Sequence, residues 1–140
     1  MFAGLRRIFP GALMCWLVVT VQAGDRPPIP AQAAKLNNLG VAYMNQQRMD
    51  KAVEEFDAAI KADPSLTTAQ LNKGIALLNL QKLAEARLAL DAAAAKEPDN
   101  PRVWYNLGLL HRGEGKTLEA IEDFERVVKL DPTEDRKSVV

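Results

Sequence analysis

From Ala33 to the C-terminus, apolar residues recur at the three- and four-residue spacing of helices that bury one face. The segment LEAIEDFERVVKL places Leu118, Ile121, Phe124 and Val128 on a single helical face. Before it, WYNLGLLHRGEG predicts a first helix that closes on Gly113 and Gly115. The unit is a helix, a tight turn and a second helix.

The same unit occurs three times. Gly40, Gly74 and Gly108 share one spacing, and so do Ala52, Ala86 and Ala120. Phe56, Leu90 and Phe124 keep the same period, as do Pro64, Pro98 and Pro132. Several independent position classes in one register define repeats over 33–66, 67–100 and 101–134. Asn100 before Pro101 supplies a capping side chain ahead of a proline whose missing N–H costs nothing at a helix start. Thr117 is expected to cap the last helix in the same way. The residues before Pro64, Pro98 and Pro132 should end the second helix of each unit, because proline disfavours helical geometry in its predecessor.

The N-terminus follows another pattern. Arg6 and Arg7 precede an uncharged run from Ile8 to Val21, which ends at Val21, Gln22 and Ala23. A basic start, an apolar middle and a small-residue site predict a signal peptide over 1–23. The alternative is an uncleaved inner-membrane anchor, the one route by which the chain would contact a membrane. Against it, the run falls short of the ~20 residues that span a bilayer and contains Pro10 and Gly11. The only cysteine, Cys15, lies inside this run behind Met14, where a lipidated cysteine would want a small residue. After cleavage no thiol remains for a disulfide, and the loss of Arg6 and Arg7 leaves the mature chain mildly acidic. Residues 24–32 read as a proline-rich extended spacer, and 135–140 as a C-terminal tail.

Basic and acidic side chains total 18 each, a balance that excludes a general polyanion binder, so no nucleic acid is expected. His111 is the single histidine and has no cysteine or serine constellation around it in sequence. The acidic pairs Glu54–Glu55 and Glu122–Asp123 look outward from their helices as solvated surface. No glycine-rich phosphate loop and no metal-ligand spacing occurs. Neither an enzyme nor a cofactor is expected.

Trp104, Leu107, Gly108, Ala120, Phe124 and Pro132 in the third copy, and Leu39, Gly40, Tyr43, Ala52, Phe56, Ala59 and Pro64 in the first, carry a resemblance to the tetratricopeptide-repeat family. The second copy keeps Gly74, Ala86, Ala93 and Pro98 but has Gln70 and Lys73 where the family prefers large apolar residues. The resemblance implies an all-α, right-handed solenoid of three repeats, in which each pair of helices buries its apolar face against its neighbours. It also implies that small residues let the helices of a pair approach while large ones fill the space between pairs.

The resemblance further implies a concave face made by the first helices, on which an extended peptide segment of another protein binds. The matching positions are Asn38, Asn72 and Asn106, one per repeat, whose amides can complement a peptide main chain. Around this ladder stand Asn37, Val41, Leu71, Ile75, Tyr105 and Leu109. Chaperone-binding members hold a terminal carboxylate with a basic clamp. Of its positions this chain offers Asn37, Asn72, Arg102 and Asn106, with Val41 replacing an asparagine and the leading lysine missing.

A solenoid needs a polar cap over its last repeat, and the tail after Pro132 is too short to form a stable helix alone. Ile121, Phe124, Val128 and Leu130 are therefore expected to stay exposed as a C-terminal interface. The sequence thus favours an exported adaptor, periplasmic or secreted, that holds a peptide segment. Its competitors are an assembly subunit of an envelope machine (secretion, pilus or polysaccharide export) docked through the last repeat, self-association through that face, and a piece of a longer repeat array.

Overall fold

The computed structural model describes residues 29–132, which form six α-helices and, within those bounds, no strand. They are α1 Ile29–Asn45, α2 Met49–Ala62, α3 Thr67–Asn79, α4 Leu83–Lys96, α5 Pro101–Gly113 and α6 Thr117–Leu130. The expected signal peptide and tail lie outside the described residues. The last part of the expected spacer does not remain extended, since α1 already begins at Ile29. None of the described helices is long and apolar enough to cross a membrane.

The helices pack as consecutive pairs, α1 on α2, α3 on α4 and α5 on α6, and each pair packs on the next. Curvature follows from a second set of contacts. Among the first helices α1 touches α3 and α3 touches α5, whereas α2, α4 and α6 do not touch one another. The first helices therefore crowd together on the inner, concave side and the second helices splay on the outer one.

The turn inside each repeat is built the same way. Arg48 N–H donates to Tyr43 O at 2.9 Å, Lys82 N–H to Leu77 O at 3.0 Å and Lys116 N–H to His111 O at 2.8 Å. One residue earlier, Gln47, Gln81 and Gly115 donate to Met44, Leu78 and Arg112 and take φ values of 59°, 58° and 77°. This is the paired bonding of a Schellman helix end, whose penultimate residue must enter the left-handed region. Only the third copy places glycine there, so the turn was legible in one repeat of three.

The proline signals hold: α2, α4 and α6 stop at Ala62, Lys96 and Leu130, and Asp63, Glu97 and Asp131 are non-helical ahead of their prolines. Asn100 caps α5, its side chain accepting from Arg102 N–H at 3.0 Å with Pro101 following. Thr117 does not cap α6. It is the first helical residue, and Lys116 at the cap makes no side-chain bond, because the Schellman turn already fixes the entry of the chain.

Phe56 and Leu90 are fully buried, each seated on the glycine of its own repeat, Gly40 and Gly74. The large residue thus fills the crossing within a pair, not only the space between pairs. The main core gathers Leu71, Leu77, Leu90, Val103, Leu107 and Leu110 from repeats 2 and 3. A smaller cluster around Phe56 and Ala76 joins it through Val53. Lys73, foreign to the family pattern, pairs with Asp57 of the first repeat at 2.6 Å.

Candidate peptide-binding surface

The asparagines do not form a row of free amides. Asn38 is exposed on α1, whereas Asn72 and Asn106 are buried. Asn72 Nδ2 donates to Asn37 Oδ1 at 3.0 Å, tying α3 to α1 across the first repeat junction. Asn106 Nδ2 donates to its own helix at Arg102 O, 2.7 Å away. Among the described residues no buried side-chain polar atom lacks a hydrogen-bond partner. The unbonded Oδ1 atoms of Asn72 and Asn106 must therefore reach the surface, leaving each an acceptor, besides the second N–H of an amide that has used one of its two donors.

Leu71 belongs to the core and not to the groove. It is 2% exposed and packed among Leu77, Leu90 and Val103, so it offers a ligand nothing. Val41, Ile75 and Leu109 are half-buried, and Arg102 and Tyr105 are exposed. Two hollows open where these residues meet. One, of about 370 Å³, lies between the ends of α3 and α5 and is lined by Ile75, Leu78, Asn79, Asn106, Leu109 and Arg112, among others. The other, of about 420 Å³, is lined by Ile75, Pro101, Arg102, Tyr105, Asn106, Val127 and Asp131. Ile75 and Asn106 are common to both, so the hollows adjoin along α5. Arg112 was not anticipated from the sequence, because the family pattern draws attention to the middle of the first helix and not to its end.

Of the α6 residues expected to stay exposed, Ile121, Val128 and Leu130 are open to solvent and Phe124 is partly covered. Ile121 and Val128 are 49% and 46% exposed, and with Phe124, Glu125 and Lys129 they line an open apolar trough of about 400 Å³. Phe124 is only half-buried, leaning on Tyr105 with ring centroids 5.8 Å apart, whereas its counterparts Phe56 and Leu90 are wholly covered by the repeat that follows each.

Two acidic side chains are drawn into the junction of repeats 2 and 3, one of them against expectation. Asp123, expected on the solvated surface, is 7% exposed and lies 2.7 Å from His111 Nδ1. The other ring nitrogen, which a general base would turn to a nucleophile, faces Arg87 Nη1 at 3.3 Å. Arg87 also forks onto Glu114, which Lys116 approaches at 3.0 Å. Partial burial pushes the Glu114 carboxyl up, but the Arg87 and Lys116 hydrogen bonds outweigh it and hold the group below its ordinary value. The cluster ties repeat 2 to repeat 3. No group of histidine, cysteine, aspartate and glutamate suited to a metal ion occurs among the described residues.

These residues define a helical-repeat solenoid whose inner helices present a mixed apolar and polar face. The chain belongs to the tetratricopeptide repeat family, whose models match residues 33–66 and 71–135. No curated protein matches it in sequence. Among solved structures it is similar to the first TPR of Spaghetti (RPAP3) bound to the HSP90 peptide SRMEEVD, with 27% identity over 74% of this chain and 82% of that one and a TM-score of 0.71. The second TPR domain of human RPAP3, in complex with the HSP70 peptide SGPTIEEVD, is 26% identical over 74% of this chain and 87% of that chain, with a TM-score of 0.70. MamA from Desulfovibrio magneticus RS-1 is 32% identical over 71% of this chain and 56% of that chain, with a TM-score of 0.66.

Proposed function

We propose that this chain is an exported adaptor, periplasmic or secreted, that holds an extended segment of a partner protein on the concave face of α1, α3 and α5 and catalyses no reaction. The carrying observation is the pair of adjoining hollows around Asn106, which combine apolar floors at Ile75 and Leu109 with surface-reaching polar groups. Support comes from two similar domains, RPAP3 and Spaghetti, that hold peptides. Export rests on the basic and apolar pattern of residues 1–23. The test is crosslinking in the native envelope with wild type and with Tyr105→Ala/Leu109→Ala. Loss of the crosslinked partner in the double variant is expected, and undiminished recovery would refute groove binding. Immunoblotting of cell fractions, with the mass of the mature N-terminus, tests export and cleavage after Ala23.

A second reading is favoured by the trough of Ile121, Phe124 and Val128. It makes the chain a subunit of an envelope assembly, or a self-associating one, docked through α6. Ile121→Glu would then abolish the partner or shift a size-exclusion profile to the monomer, while Leu109→Ala alone, at a residue that does not line the trough, would leave both untouched.

A further inference from the structure

At each earlier junction the inner helix of the following repeat covers the outer helix before it, α3 on α2 and α5 on α4. Phe56 and Leu90 are 0% exposed there, and Val53 and Ile60 beside Phe56 are half-buried. Phe124, Ile121 and Val128 hold the same register positions in α6, where the two aliphatic residues stand open. α6 therefore presents a surface that the fold elsewhere closes with a helix.

The charges at the rim bear on which helix fits. Glu125 and Lys129 line the same trough one turn apart, and neither has an ion-pair partner among the described residues. An apolar stripe edged by one acid and one base complements a reversed copy of itself, because a two-fold axis brings residue i against j and j against i. We infer that α6 pairs with α6 of a second copy, antiparallel about a two-fold axis level with Arg126. Phe124 of each copy then meets Val128 of the other. Glu125 of each lies about 3 Å along the axis from Lys129 of the other, at 1.5 Å per residue, a gap within the reach of a lysine side chain. The inference rests on the reading of α6 as a docking face and names its partner.

A head-to-tail stack, with α1 of one copy on α6 of the next, fits worse. At the first junction Lys73 pairs with Asp57 at 2.6 Å. Glu125 holds the register of Asp57, but Leu39 holds that of Lys73, so stacking would set a carboxylate against a leucine. Lys35 stands where Ala69 and Val103 are 0% exposed, and stacking would bury its ammonium group at high cost. The pair is thus closed and does not grow into a filament. α6 has 14 residues and is about 21 Å long, too short a strip to bury the ~800 Å² per partner of a standard interface. The dimer is therefore a weak one.

The experiment is sedimentation velocity of the mature protein from micromolar to millimolar concentration. We expect a monomer–dimer equilibrium that stops at the dimer. Glu125→Lys and Lys129→Glu should each weaken it roughly tenfold, since both ion pairs become like-charge contacts. The doubly exchanged chain should return to within roughly threefold of wild type, and an equimolar mixture of the two single variants should form a heterodimer. All four positions changed are exposed charges, so folding is not at stake. A dimer indifferent to these exchanges would overturn the inference. So would association that passes the dimer and strengthens with Lys35→Ala, which marks the head-to-tail stack, or a monomer that dimerises only when residues after Pro132 are removed, which marks the chain's own tail as the occupant. A monomer at every concentration whose Ile121→Glu variant loses an envelope crosslink gives the face to another protein; the docking reading then survives and the inference falls. A monomer whose crosslinks ignore Ile121→Glu sinks both.

Discussion

His111 Nδ1 lies 2.7 Å from Asp123 Oδ2 on the other helix of its repeat, while its Nε2 faces Arg87 Nη1 of the preceding repeat at 3.3 Å. Arginine can only donate, so Nε2 accepts, and the ring proton sits on Nδ1 and points at the carboxylate. One imidazole thereby joins α4, α5 and α6. Asp123→Ala leaves a part-buried N–H unanswered and should cost about 1–3 kcal/mol. Asp123→Asn, whose amide oxygen still accepts, should cost less. Urea unfolding followed by circular dichroism measures both, and equal midpoints for wild type and Asp123→Ala would mean that water replaces the carboxylate at no cost.

Glu114 gives the same junction a pH dependence. Its carboxyl titrates below the ordinary value in the folded chain, through Arg87 and Lys116. A depressed folded-state value means that the contribution to stability is present above the unfolded glutamate value of about 4.3 and is lost as pH falls through the folded-state value. Glu114→Gln, which cannot titrate, should lower the thermal midpoint at neutral pH and flatten the acid decline below about pH 4.5. Melting curves from pH 7 to 3 test this, and parallel declines for the two proteins would exclude the linkage.

The glycines at the helix crossings should differ in tolerance. A β-carbon on Gly40 would stand 2.5 Å from the Phe56 ring, one on Gly74 2.6 Å from Leu90 and one on Gly108 2.6 Å from Phe124. Replacing helical glycine by alanine gains up to ~1 kcal/mol in propensity, while overpacking costs about 1–3 kcal/mol. Phe56 and Leu90 are enclosed and cannot retreat, so Gly40→Ala and Gly74→Ala should destabilise. Phe124 is open on its outer side, and its ring can move outward. Gly108→Ala should therefore be nearly neutral in a thermal melt; a loss equal to that of Gly40→Ala would show the last ring to be as fixed as the first.

At the Schellman turns the residue type can be set against its conformation. Gln47 and Gln81 hold φ near 60°, which costs a side chain about 1 kcal/mol that glycine avoids. Gln47→Gly and Gln81→Gly should be neutral or stabilise by up to about 1 kcal/mol, and Gly115→Ala should destabilise by a similar amount. Opposite signs in chemical denaturation would contradict the common turn geometry.

The 34-residue register was legible because glycine, alanine and proline mark backbone constraints that any copy must satisfy. The fate of a side chain at one register position was not. Asn37, Leu71 and Tyr105 are equivalent positions, yet they are 8%, 2% and 50% exposed. The difference lies in what precedes and follows each repeat: Leu71 has a repeat on both sides, whereas Tyr105 looks past the last one. The expected amide ladder failed for the same reason, since a row in register says nothing about whether Asn72 meets solvent or Asn37. Asp123 was read as solvated surface and Arg112 escaped notice, because their surroundings lie in other helices or in the curvature itself, and neither is visible in a linear pattern.

Asn72 carries the sharpest test of what remains of that ladder. One N–H of its Nδ2 is committed to Asn37, and its unbonded Oδ1 reaches the surface. Asn37→Ala and Asn72→Ala should each cost about 1 kcal/mol of stability, and in a double-mutant cycle the pair should show coupling of about 0.5–1.5 kcal/mol. Asn38→Ala, exposed and without a hydrogen-bond partner among the described residues, should stay within about 0.5 kcal/mol of wild type. If Asn72 also offers its oxygen to a bound main chain, Asn72→Ala will weaken partner recovery more than Asn37→Ala does at matched stability. Equal recovery by the two variants would confine Asn72 to the repeat junction and leave Asn106, between the two hollows, as the buried amide that meets the ligand.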